Sequence, residues 1–215
     1  LGRESDNRCQ PMTLCFRVVN VDTVNWDRDG IQKLYKELQA KGKIKNPREN
    51  VLMFFVPHKN VVHFNSTRVI KHNPVDPLEL SKAEALAREQ MLELFTMLKE
   101  NFVAFKDATL FNSGISIGVR ESRMIIGKHV LNETELKDCV KFEDRIAAGN
   151  YDIDIHNPAG AGTSHYYFKD GEYYSIPYRS LLPRELDNLL AAGRCISATH
   201  EAQASVRIMP ICACM

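Results

Sequence analysis

Residues 188–215, reading NLLAAGRCISATHEAQASVRIMPICACM, constrain this chain more than any other stretch. The apolar run Leu189-Leu190-Ala191-Ala192 has the length and character of a short buried strand. Gly193 ends it, and a residue without a side chain lets backbone approach a ligand or a second strand. Arg194, Ser197, Thr199, His200, Glu201 and Gln203 then crowd into a polar loop, followed by Arg207, Met209 and Pro210. Proline suits the first turn of a helix, because its φ is already helical and its missing N–H is not needed there. Strand, glycine turn, polar loop and helix start together bring backbone amides and a helix N-terminus up to a ligand.

The rest of the chain supplies a body for that stretch. Residues 1–10 are charged and patternless, a connecting segment, and 11–21 read as a first strand. Ile31, Leu34, Tyr35 and Leu38 recur at helical spacing within 26–41, with Gly42 as the stop. The β-rich runs 51–56 and 61–69 flank Pro57-His58-Lys59-Asn60 as a hairpin whose residues read as plain sheet core and edge. Residues 81–105 make the strongest helix, opened by a capping box of Ser81 and Glu84. A strand follows at 109–119 and a short helix at 132–142, capped by Asn132 and Glu135. The strand 151–156 puts Asp152, Asp154 and His156 on one face, since side chains alternate with period two. The loop 158–164 is a candidate domain boundary, and 166–168 pairs with 172–175 around Lys169-Asp170-Gly171 as a hairpin. The expected fold is α+β: a mixed, largely antiparallel sheet with helices on one face.

Charge and cysteine usage narrow the function. A hydrophobic content of 44%, a charged content of 26% and a net charge of +1 give no reason to propose nucleic acid or an anionic membrane surface as partner. No apolar run approaches the ~18 residues of a membrane-spanning helix. The six cysteines, Cys9, Cys15, Cys139, Cys195, Cys212 and Cys214, make no CxxC pair and no closely spaced run of the kind that holds an iron–sulfur cluster. They read as thiols. His58, His63 and His72 fall on different elements, so no metal site is expected.

Four stretches carry a resemblance. GRCISATHEAQASVRIMP, GVRESRMIIG at 118–127, YDIDIHNP at 151–158 and QPMTLCFRVVNVD at 10–22 resemble, in order, a family of FAD-dependent oxidoreductases related to the FAD subunit of heterodisulfide reductase. More distantly they resemble fumarate reductase-like and glutathione reductase-like flavoproteins. The resemblance implies FAD as cofactor, with the loop after the 189–192 strand along the flavin. The next helix would point its N-terminus at the pyrimidine edge, where a positive helix end stabilises negative charge. Gly193, Arg194, Ser197, Arg207, Met209 and Pro210 become the cofactor-facing candidates. Arg194 departs from the broader pattern, in which an acidic residue holds the ribityl chain, so that contact does not transfer. Iron–sulfur clusters occur in some relatives.

No GxGxxG loop for the FAD pyrophosphate appears in the chain. The resemblance places that loop upstream, so the expectation is an internal piece of a longer, cytoplasmic enzyme. Residues 1–10 would connect from the FAD domain, 11–165 would form the substrate domain, and 166–215 the hairpin and a truncated return of the FAD domain. The absent FAD domain would be the chain's partner, and FAD would belong to the parent rather than to this piece. The expected reaction is hydride or electron transfer between FAD and a small molecule. His200 would give or take a proton, Arg120 and Arg179 would clamp an anion, and Tyr178 would hydrogen-bond. Arg120, Glu121 and Arg123 also read as an ordinary surface ion-pair cluster. Two other readings stand beside this one: a non-catalytic ligand-binding module, and a carbohydrate-processing protein using Asp152 and Asp154. On the flavoenzyme reading, Arg120–Arg123, the Asp152–His156 face, Tyr178, Arg179, His200 and Arg207 should border one open concave surface.

Overall fold

The structure, a computed structural model, describes residues 2–215. Strand β1 (Phe16–Val19) lies central in an antiparallel sheet of order β2-β3-β1-β4, with β2 at Met53–Phe55, β3 at Val62–Phe64 and β4 at Thr109–Ser113. Alternation along β1 buries Phe16 and Val18 and exposes Arg17. The buried face takes helices α1 (Arg28–Ala40) and α2 (Pro77–Asn101), so Phe64, Tyr35, Leu94 and Leu98 share one apolar cluster. Each such side chain removed from water contributes roughly 1.5–3 kcal/mol. Phe16 stacks on Phe64 with centroids 4.8 Å apart, and Trp26 sits 4.9 Å from Phe55 and 5.7 Å from Phe105.

Helix α2 starts four residues earlier than the Ser81 reading. Asp76 accepts hydrogen bonds from the Leu78 and Glu79 amides at 2.9 and 3.0 Å, with Pro77 entering the first turn. An aspartate cap followed by proline outcompetes Ser81, whose hydroxyl instead donates back to the Pro77 carbonyl. Glu84 is drawn away to Arg88 and to the Ile117 amide.

A second apolar cluster is built by α3 (Glu133–Lys137), β5 (Arg145–Gly149), β6 (Ile153–His156), β7 (Thr163–Tyr166), β8 (Tyr174–Pro177), α4 (His200–Val206) and α5 (Met209–Cys214). The Asn132–Glu135 capping box of α3 is present with both of its hydrogen bonds. Strands β6 and β7 pair with each other, and β5 pairs with β8. The expected hairpin across Lys169–Gly171 therefore does not form, because its two flanks join different two-stranded sheets. Gly149 lets α5 close on β5: a Cβ there would stand 2.6 Å from Ile211 Cδ1 and 2.7 Å from the Tyr174 hydroxyl.

The 188–215 stretch is organised differently from its reading. Residues 189–192 form no strand, and Leu189 and Leu190 are 47% and 54% exposed. Four residues with a single backbone link, from the Ala191 amide to the Leu181 carbonyl at 3.0 Å, have no ladder to hold them. The polar loop is instead helix α4, capped by Thr199 through the Ala202 amide. Helix α5 does begin at Met209 with Pro210 in its first turn, and Gly193 does adopt a left-handed φ of 84°. Among the described residues no helix is long and apolar enough to cross a membrane, and all six cysteines are free thiols.

Candidate functional site

Between the two apolar clusters runs a seam of buried polar side chains, and Gln10 is its junction. The Gln10 amide donates to Glu121 Oε2 at 2.8 Å. Its side-chain nitrogen donates to Gln203 Oε1 at 3.3 Å, and its side-chain oxygen accepts from the His156 amide at 3.4 Å. One residue thus ties together 10–22, 118–127, 151–158 and 193–210, four stretches far apart in sequence.

The chain of contacts closes on itself. Gln203 donates to the Arg120 carbonyl at 3.0 Å, and Arg120 Nη1 donates to Thr13 Oγ1 at 2.6 Å and to the Pro11 carbonyl. Thr13 donates to the Thr67 carbonyl, next to Arg68, whose Nη1 lies 3.0 Å from Glu49 Oε2. Thr163 Oγ1 stands 3.3 Å from Glu49 Oε1 and 3.1 Å from His156 Nδ1, which returns to Gln10. Asp154 hangs on this ring through His156 Nε2 at 3.3 Å and the Tyr151 hydroxyl at 3.4 Å.

Electrostatics follow from that burial. Burial, together with the Arg207 and Arg48 charges, pushes Arg120 down to about 9. Burial also pushes His156 down to about 4, against the pull of Asp154 and helped by Arg120 and Arg68. At neutral pH His156 is therefore uncharged. Burial alone would raise Asp154, yet the His156 hydrogen bond and the nearby charges of His156, His165 and Arg207 hold it at about 2. A carboxyl held that low does not serve as a general acid.

His200 enters from the first turn of α4. Its Nδ1 lies 2.9 Å from Glu121 Oε1, and both residues are buried. The carboxylate accepts an Nδ1–H there, which fixes the ring and turns Nε2 away from Glu121. That Nε2 is buried without a partner, as is the Nε of Arg207 one helix end away.

Of the sequence candidates, Arg120, Glu121, Asp154, His156, His200 and Arg207 are brought together. Arg123 is exposed and Asp152 turns outward to His165. Tyr178 and Arg179 stand apart: the Tyr178 amide and the Arg179 guanidinium both go to Asp144, the latter at 3.0 Å. The seam is buried rather than an open concavity, because Gln10, Glu121 and Gln203 fill it with hydrogen bonds. Arg194 is exposed and donates to the Val119 carbonyl, Ser197 is buried with its hydroxyl accepting from the Gly127 amide at 3.0 Å, and Met209 is 85% exposed.

Gln10, Arg48, Glu49, Arg68 and Gln203 were not legible as site residues. Gln203 and Gln10 sit inside the resembling stretches, so their polarity at buried positions was the available signal. Arg48 and Arg68 carry none, since a lone arginine in or beside a strand reads as edge.

The seam and the 193–210 stretch beside it carry groups of the kind a flavin's polar edge takes. Nε2 of His200 and Nε of Arg207, at the two ends of α4, are buried without partners, and Gly193 is left-handed with nothing nearer to an added Cβ than Cys212 Sγ at 3.9 Å. A donor, a free imidazole nitrogen and an open backbone suit the polar edge of such a ring. No group of three or more His, Cys, Asp or Glu side chains among the described residues could hold a metal ion. In comparison with protein families, residues 1–215 match the model of a family described as FAD dependent oxidoreductase. Comparison with curated proteins and with solved structures gave no match.

Proposed function

The chain belongs to the FAD dependent oxidoreductase family, and from that premise we propose that its polar seam is the substrate-facing side of a flavin site. FAD is the cofactor of this family, and when bound it supplies acceptance and donation of a hydride or of electrons. The protein's own part is to bind, orient and move protons. The observation that carries the reading is His200, an imidazole fixed on one nitrogen by Glu121 and free on the other in a buried setting. Such a group takes a proton from a substrate, or returns one, without reorienting.

On the same stretch Arg207 holds a buried N–H without a partner, Gly193 takes a left-handed φ, Ser197 accepts from the Gly127 amide, and Met209 and Pro210 start the helix that follows. Arg194 holds the 118–127 stretch through the Val119 carbonyl and so keeps Arg120 and Glu121 in place. The reaction proposed is oxidation or reduction of a small molecule, in a relative of the heterodisulfide reductase FAD subunit. In the flavin-loaded protein, anaerobic bleaching of the visible flavin band by a panel of small organic substrates should slow by roughly 10²-fold on His200→Gln. The band itself should keep its position. Equal rates in parent and variant would overturn the assignment of His200.

A further inference from the structure

We propose that Arg48, Arg68, Arg120 and Arg207 form a binding site for a small oxyanion, a carboxylate or a phosphate group, at the seam between the two apolar clusters. The four come from separate parts of the chain and meet around the ring that runs through Gln10. Arg120 and Arg68 belong to that ring through Thr13, the Thr67–Arg68 backbone and Glu49. Burial lowers both Arg48 and Arg207, and both feel the charge of Asp154 raising them again.

Pairing falls short there. Four guanidinium groups stand among the carboxylates of Glu49, Glu121 and Asp154, yet of the four, among the described residues, only Arg68 makes an ion pair, to Glu49 at 3.0 Å. Arg48 and Arg68 are 4% and 1% exposed, so water does not make good the deficit. The Nε atoms of Arg48, Arg68 and Arg207 are buried without a hydrogen-bond partner. Buried charges that brace a fold are as a rule paired and hydrogen-bonded, and these features depart from that rule. Arg120 and Arg207 are partly exposed, which gives an anion its way in. Guanidinium favours planar oxyanions, which accept two parallel N–H bonds at once.

Identification of the anion as part of the substrate rests on the proposed function; the binding site itself does not. Two sources share this chemistry, an organic acid acting as substrate and a phosphate group of a nucleotide. Thermal melting and titration calorimetry of the flavin-free protein distinguish them, using malonate for the first, inorganic pyrophosphate for the second, and chloride at matched ionic strength as reference. At least one oxyanion should bind saturably and raise the melting temperature above the chloride reference. Binding should weaken by about ten-fold or more on Arg120→Gln, and persist on Lys82→Gln, a charge loss on the exposed face of α2. Malonate binding points to an organic acid and pyrophosphate binding to a phosphate; either supports the site. If Arg120→Gln does not fold, Arg207→Gln replaces it. No saturable binding of either anion, or binding indifferent to the arginine tested, overturns the proposal. Because no flavin is present, that failure leaves the His200 assignment standing, and a failed His200 test leaves the anion site standing.

Discussion

At the scale of single residues, Gln10 and His156 show how much a buried polar group can be asked to do. Gln10 meets Glu121 through its backbone amide and Gln203 and His156 through its side chain, so losing that side chain would leave two partners short of a hydrogen bond. His156 couples the fold to pH. Its folded value of about 4 lies below its ordinary value, so the neutral form contributes stability above pH ~6.5, and that contribution disappears as the pH falls toward about 4. Asp154 is also depressed, to about 2, and its contribution is lost only at lower pH still. Between about pH 7 and about pH 5 the His156 share amounts to roughly 2 kcal/mol. Urea unfolding at those two pH values should therefore show the parent losing about that much, and His156→Gln losing much less. Equal losses would place the acid sensitivity in another group.

At the scale of elements, the packing of α5 on β5 depends on one missing side chain. A Cβ on Gly149 would fall within 2.8 Å of Ile211 Cδ1 and of the Tyr174 ring and hydroxyl. Ile211 could move, but Tyr174 is fixed by Ser205, whose hydroxyl stands 2.7 Å away and bonds in turn to the Tyr151 carbonyl. Gly149→Ala should cost about 1–3 kcal/mol of stability and loosen α5, read as faster amide exchange at Ile211 and Cys212. Unchanged exchange with unchanged stability would mean that the contact relaxes freely. What could be read from sequence follows the same division between local and distant causes. Helices α1 and α3 and the β2–β3 hairpin have their periodicity, caps and turn residues within a few positions, and they stand where they were expected. The 189–192 strand and the 166–175 hairpin failed because strand formation needs a partner, and the partners were decided elsewhere in the fold. Helix α4 was hidden because polar His200, Gln203 and Ser205 are buried alongside Ala202, Ala204 and Val206, so no separate apolar face shows in the sequence. Arg120 and His200 stood out as candidates, whereas Arg48 and Arg68 did not, since their role exists only once the two halves meet.

At the scale of the whole molecule, two apolar cores meet across a polar joint rather than merging. The joint contributes through hydrogen bonds and the Arg68–Glu49 pair, and such contacts weaken when one member is neutralised. Glu49→Gln should lower stability by about 1–3 kcal/mol and uncouple the two cores on unfolding. The chain happens to carry the means of seeing this. Its one tryptophan, Trp26, is wedged between Phe55 and Phe105 in the first core. Indole emission therefore counts the molecules that have lost that core, whatever the other is doing. Amide exchange in β5 and β8 counts those that have lost the second. In the parent the two curves should coincide with denaturant; in Glu49→Gln they should part, and curves that stay together would mean the joint is no weak boundary. The gap between them, a fluorescence midpoint set against an exchange midpoint, would then be a direct reading of cooperativity passed through a handful of hydrogen bonds.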